Sequence, residues 1–132
     1  MRLEWEYIKK LNDNNVFENI EKKYKIKIPD NLKKYITEYN AGEPTPNIFD
    51  TDKFKEKVFN ALFSYNEDDK CNIFFILDNF NHKNLLPFAD DVSGDIICID
   101  LKDNTIKLVS HETDEIEFVA NSLDKFMNSL YE

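Results

Sequence analysis

The stretch LPFADDVSGDIICIDL, Leu86 to Leu101, gathers Asp90, Asp91, Asp95 and Asp100 around Gly94 between two apolar runs. Carboxylates at a glycine turn suit three chemistries: coordination of a hard cation, general acid–base work by a pair, or solvation of a strand turn. A calcium loop of the EF-hand kind needs alternating oxygen ligands ahead of its glycine and a glutamate at a fixed distance after it. DDVSGDIICIDL supplies neither, so no metal is assigned. Catalytic pairing of carboxylates depends on through-space separation, which spacing along the chain leaves open. The preferred reading is a structural turn with an acidic surface, in which single carboxylates are offered to a partner. Gly94 then supplies a backbone conformation that other residues resist.

The remaining reactive side chains are sparse. His82 and His111 are the two histidines, and HETDE lacks the second histidine of the HExxH metal motif. Neither stands near a serine or cysteine that it would activate, so both are read as exposed or locally hydrogen-bonded. Cys71 and Cys98 have no CxxC partner and read as buried thiols. Gly42 and Gly94 are the two glycines of the chain, which excludes the P-loop and the dinucleotide fingerprint. No catalytic residue and no cofactor are assigned, and the chain is not expected to be an enzyme. A hydrolase using the aspartates stands as the minor alternative.

The elements that must position these residues follow from periodicity. Leu3, Tyr7, Ile8 and Leu11 recur at helical spacing, and Val16, Phe17, Ile20 and Tyr24 repeat it after NDNN, predicting two short helices, the second capped by Asn14 or Asn15. Pro29 fits the first turn of a helix with Leu32, Tyr35, Ile36 and Tyr39 on one face, closed by Gly42 in a left-handed cap. EPTPN reads as an irregular, mobile connection. KVFNALFSY predicts a strand with Phe59, Ala61, Phe63 and Tyr65 on one side and Val58, Asn60, Leu62 and Ser64 on the other. NIFFILDNF fits helix or strand, with helix favoured. LLPFA, DIICIDL and TIKLVSH predict strands, the last two joined by a hairpin loop at KDN, and EIEFVA adds another. Ser122 or Asn121 caps a closing helix lined by Leu123, Phe126, Met127 and Leu130. The expected fold is α+β: one domain over residues 1–132, with helices first, a mainly antiparallel sheet with an inserted helix, and a final helix.

Composition sets limits on partners. Hydrophobic residues make up 42% and aromatics 14% of 132 residues, enough for a packed core without disulfide or metal staples. The net charge is −9 and uneven: residues 1–40 carry nine Lys or Arg against seven Asp or Glu, while residues 41–132 carry eight against nineteen. Such a field repels nucleic acid and anionic membranes and attracts basic partners. KKYKIK, residues 22–27, is the one basic patch with an aromatic inside it, and reads as lysines on the solvent face of a helix. Trp5 reads as a core or edge-packing residue, with an interface anchor as its alternative. The amino-terminal MRLEWEYIKKLNDNN lacks the pattern of a signal peptide, and IFFIL is too short to cross a bilayer, so a cytoplasmic location is expected.

In order and spacing, IEKKYKIKIPDNLKKYITEYNAG, LLPFADDVSGDIICIDL, VSHE and VANSLDKFMNSL resemble the SUKH superfamily, the Smi/Knr-type cell-wall-regulator-like domains that include many bacterial immunity proteins. The resemblance runs from about Ile20 to Leu130. It departs at YNAG, where the family often has two glycines after the asparagine and this chain has Ala41. Asn40, Gly42, Gly94 and Asp95 match the family motifs, with structural roles expected. The resemblance implies a sheet flanked by helices and a non-catalytic domain that binds a cognate protein toxin, such as a nuclease, and the acidic charge adds the expectation that this toxin is basic. A regulatory or scaffolding domain without a toxin is the alternative. The acidic residues at expected turns are the candidate contacts: Glu67, Asp68, Asp69, Asp90, Asp91, Asp95, Glu112, Asp114 and Glu115.

Overall fold

The computed structural model describes residues 3–132; Met1 and Arg2 lie outside the described residues. In chain order the elements are β1 (Glu4–Glu6), α1 (Val16–Tyr24), α2 (Asp30–Tyr39), β2 (Glu43–Thr45), β3 (Ile48–Phe49), β4 (Lys57–Leu62), α3 (Ile73–Asp78), β5 (Leu85–Asp91), β6 (Ile96–Asp100), β7 (Ile106–Val109), β8 (Ile116–Ala120) and α4 (Leu123–Asn128). Strands β3 to β8 form one antiparallel sheet in sequence order, and β1 pairs with β2 in a separate ribbon. The fold is α+β.

One face of the large sheet carries the core. Phe59, Leu62, Leu86, Phe88, Ile97, Ile99, Ile106 and Leu108 are buried against Val16 and Ile20 of α1, Leu32 and Ile36 of α2, and Leu123, Phe126 and Met127 of α4. On the other face a smaller cluster of Leu85, Cys98 and Val109 is covered by Phe80 from the chain between α3 and β5. Alternation along β6 and β7 produces the division, since successive side chains of a strand point to opposite faces.

The helices begin and end as local chemistry requires. Asn15 occupies the N-cap of α1 without a side-chain bond, and its own N–H donates to Asp13 Oδ1 at 2.8 Å. Lys25 ends α1 in a left-handed conformation with φ 56°. Ser122 accepts the Lys125 N–H at 3.1 Å and caps α4 as expected, and Asn72 does the same for α3 through Phe75. Pro29 precedes α2 as its N-cap.

Further expectations about the elements fail. Residues 3–11 form no helix. Trp5 of β1 lies opposite Pro44 of β2, and the backbone of residues 9–12 is claimed by two asparagines: Asn40 Nδ2 donates to the Lys9 carbonyl at 2.9 Å and Asn66 Nδ2 to that of Lys10 at 2.9 Å. EPTPN is not an irregular loop, because Glu43–Thr45 is β2 and pairs with β1. In β4 a bulge at Asn60 breaks the expected alternation and turns Leu62 into the core beside Phe59. At the end of α2 the left-handed residue is Ala41, with φ 64°. Gly42 is needed for closeness: a Cβ there would stand 2.7 Å from the Tyr39 carbonyl oxygen and 3.0 Å from the Trp5 ring.

Candidate interaction surface

The turn after β5 closes upon itself. Asp91 Oδ1 accepts the N–H of Ser93 at 3.0 Å, the N–H of Asp95 at 2.9 Å and the Ser93 hydroxyl at 2.8 Å, while Gly94 takes φ +99°. Lys57 of β4 reaches between the remaining oxygens, with Nζ 2.6 Å from Asp91 Oδ2 and 3.0 Å from Asp95 Oδ2, and lies over the Phe54 ring at 4.9 Å. Asp95 Oδ1 accepts the His111 backbone N–H at 3.1 Å and lies 2.6 Å from Nδ1 of its ring. Burial pushes the Asp95 pKa up, but the bonds from His111 and Lys57 outweigh it and the net shift is downward. For Lys57, desolvation acts downward and is outweighed by Asp91 and Asp95, so the ammonium is held more firmly than usual.

This geometry corrects the expectation of an acidic surface at the turn. Asp91 is 3% exposed and Asp95 7%, with both carboxylates saturated by internal donors, so neither is presented to a partner. Asp90 is half-buried, accepts Asn60 Nδ2 at 3.1 Å and has its pKa raised by desolvation. The polar groups here tie β4, β5, β6 and the start of the β7–β8 hairpin together, and the described residues bring no three His, Cys, Asp or Glu side chains into a metal-holding cluster.

The other candidates divide by position. Asp69 accepts a hydrogen bond from the Ser64 hydroxyl, and Asp68 accepts one from Asn12 Nδ2 at 3.3 Å, so the segment Glu67–Asp69 helps hold the amino-terminal stretch. It follows the end of β4, whereas Asp91 faces Phe59 near the start of that strand, so these acids are not gathered with the others. Glu112, Asp114 and Glu115 are exposed in the β7–β8 hairpin, next to His111 and hence next to the turn. Their backbone is fixed by Ser110, whose hydroxyl accepts the N–H groups of Glu112 and Thr113, while Asp114 adopts φ 60°. Glu115 pairs with Lys53 at 2.9 Å in solvent, a contact of little energetic weight.

Sequence reasoning missed the residues beside this hairpin. Ile116 is 51% exposed and Phe118 46%, side by side on the outer face of β8 opposite Val109 and Lys107. Glu117 points to the other face, opposite Leu108; its Oε2 accepts the Lys53 N–H at 3.2 Å, and its Oε1 is buried without a hydrogen-bond partner. A cleft of about 180 Å³ opens there between Phe54, Asp95, Glu112, Glu115 and Glu117. The alternation in EIEFVA was the available signal, but alternation alone does not tell which apolar face meets a core.

The motif positions Asn40 and Gly42 serve the scaffold. Asn40 is 1% exposed; its Nδ2 donates to Lys9 O and to Ser64 Oγ at 3.1 Å, and its Oδ1 accepts the Tyr65 N–H at 2.8 Å. Cys98 is buried, which pushes its thiol pKa up, but Cys71 is exposed, contrary to expectation, because it lies in the polar connection ahead of α3. No helix among the described residues is long and apolar enough to cross a membrane. A SUKH family model described as SMI1-KNR4 cell-wall matches residues 14–127. No curated protein matches the chain.

Proposed function

Because the chain belongs to the SUKH superfamily of SMI1-KNR4 domains, whose members are generally non-catalytic immunity or regulatory domains, we propose that it is a cytoplasmic immunity protein. In this reading it binds a basic toxin domain and covers the surface by which that toxin acts. The observation that carries it is the β7–β8 hairpin: three exposed carboxylates, Glu112, Asp114 and Glu115, border two exposed apolar side chains, Ile116 and Phe118. Interfaces are held by apolar anchors inside a polar rim, and complementary charge speeds encounter. A toxin that grips nucleic acid presents cations, which the hairpin would meet in place of phosphate.

Co-expression with a toxin encoded beside this chain tests the reading: the host should survive with the chain and die without it. A host killed equally in both cases, for each such toxin, removes the immunity role and leaves the regulatory one. Changing Glu112, Asp114 and Glu115 together to lysine should slow association about tenfold at low salt, with the difference shrinking as salt rises. Stopped-flow mixing of the purified pair measures this, and equal rates would take the hairpin out of the mechanism.

A further inference from the structure

The two edges of the large sheet are treated differently. At β3 the edge is closed, because Ile48 and Tyr131 exchange backbone hydrogen bonds of 2.9 Å in both directions. At β8 it is open: β8 pairs with β7 on one side, and among the described residues no backbone–backbone hydrogen bond reaches Ile116–Ala120 from the other, where Lys53 meets only the side chains of Glu115 and Glu117. A free edge is a template for another strand. Along Ile116 to Phe118 it carries a two-sided pattern, with Ile116 and Phe118 on the outer face and Glu117 on the inner, where Glu115 of the hairpin lines the same cleft.

Resting on the protein-binding reading above, we propose that β8 is a strand-addition site for an extended segment of another protein in which apolar residues alternate with Lys or Arg. The added strand lays its apolar side chains beside Ile116 and Phe118 and its cations beside Glu115 and Glu117. Glu117 Oε1, buried without a partner, gains a donor, and the exposed apolar pair is covered. Charge selects this occupant over a second copy of the chain. Antiparallel pairing of two β8 strands with Ile116 opposite either Ile116 or Phe118 sets glutamate against glutamate, and like charges directly opposite destabilise a sheet. A bulge at Val119 ends the regular edge, confining the pairing to the hairpin-proximal half of β8.

The probe is a short synthetic peptide alternating lysine with valine, compared with a glutamate–valine peptide and with a lysine–valine peptide N-methylated along one edge. The lysine–valine peptide should shift the amide resonances of residues 115–118 and slow their hydrogen exchange. N-methylation, which leaves charge intact and removes the donors, should weaken binding by about tenfold or more, and the acidic peptide should not bind. Three outcomes overturn the proposal: no binding of the lysine–valine peptide, equal binding of its N-methylated form, or shifts confined to residues away from β8. Since no toxin takes part, failure here leaves host protection standing, and failure of host protection leaves this result standing.

Discussion

Removing the ammonium of Lys57 would strand two carboxylates at once, because Asp91 and Asp95 both lean on it in a site that is nearly closed to water. Breaking a buried ion pair from one side is expensive. Lys57→Met should therefore destabilise the domain by about 3 kcal/mol, read as a fall in the urea midpoint at constant slope; a change within ~0.5 kcal/mol would show that the cluster does not support the fold. Acid should reveal the same cluster, and with it the separate Asp100–Lys107 pair. Asp95 and Asp100 titrate below the ordinary value of 3.8, Asp100 because the Lys107 ammonium donates to it. A folded pKa below the unfolded one means stabilisation that is present above the unfolded value and lost as the pH falls through the folded one. Asp90 works in the opposite sense, since its raised pKa favours protonation in the native state. The thermal midpoint of the parent should fall as the pH drops below about 4, and Asp95→Asn should flatten that fall. A parallel decline in both proteins would count against Asp95. At the end of α2, Gly42→Ala should cost about 1–3 kcal/mol through contact with the Tyr39 carbonyl, an overpacking penalty that calorimetry would detect.

Among the elements, those governed by their own neighbours were legible in advance. Ser122 ahead of an apolar face marked α4, Pro29 marked the entry to α2, and the runs around KDN marked β6 and β7. What stayed hidden depends on partners remote in sequence. Leu3, Tyr7, Ile8 and Leu11 have helical spacing, yet Trp5 stacks on Tyr39 at 4.9 Å and Asn40 and Asn66 take the backbone that a helix would have used. The acids of the β5–β6 turn were visible, but the lysine that neutralises them comes from β4, and no local pattern announces it. Trp5→Ala should cost about 2 kcal/mol, less than the loss of a fully buried tryptophan. It should also speed amide exchange in β1 and β2 while leaving β6 and β7 protected; uniform loss of protection would mean that the ribbon and the large sheet unfold as one unit.

Across the whole molecule, the net charge of −9 is not delivered outward by every acid of the sequence. Asp91 and Asp95 spend theirs inside the fold, which leaves the outward field to exposed acids such as Glu67 and Asp68 and, beside the free edge of β8, Glu112, Asp114 and Glu115. A partner drawn by that field should bind with a rate that declines as salt screens it and should leave more slowly than charge alone explains. The fold also contains an experimental convenience. Of the two thiols, Cys98 is sealed inside and Cys71 faces solvent, so a maleimide dye added to the folded, unaltered chain attaches at a single address. A fluorophore placed there would act as a ruler fixed to the polar connection ahead of α3, and energy transfer to a labelled partner would reveal which side of the domain that partner approaches.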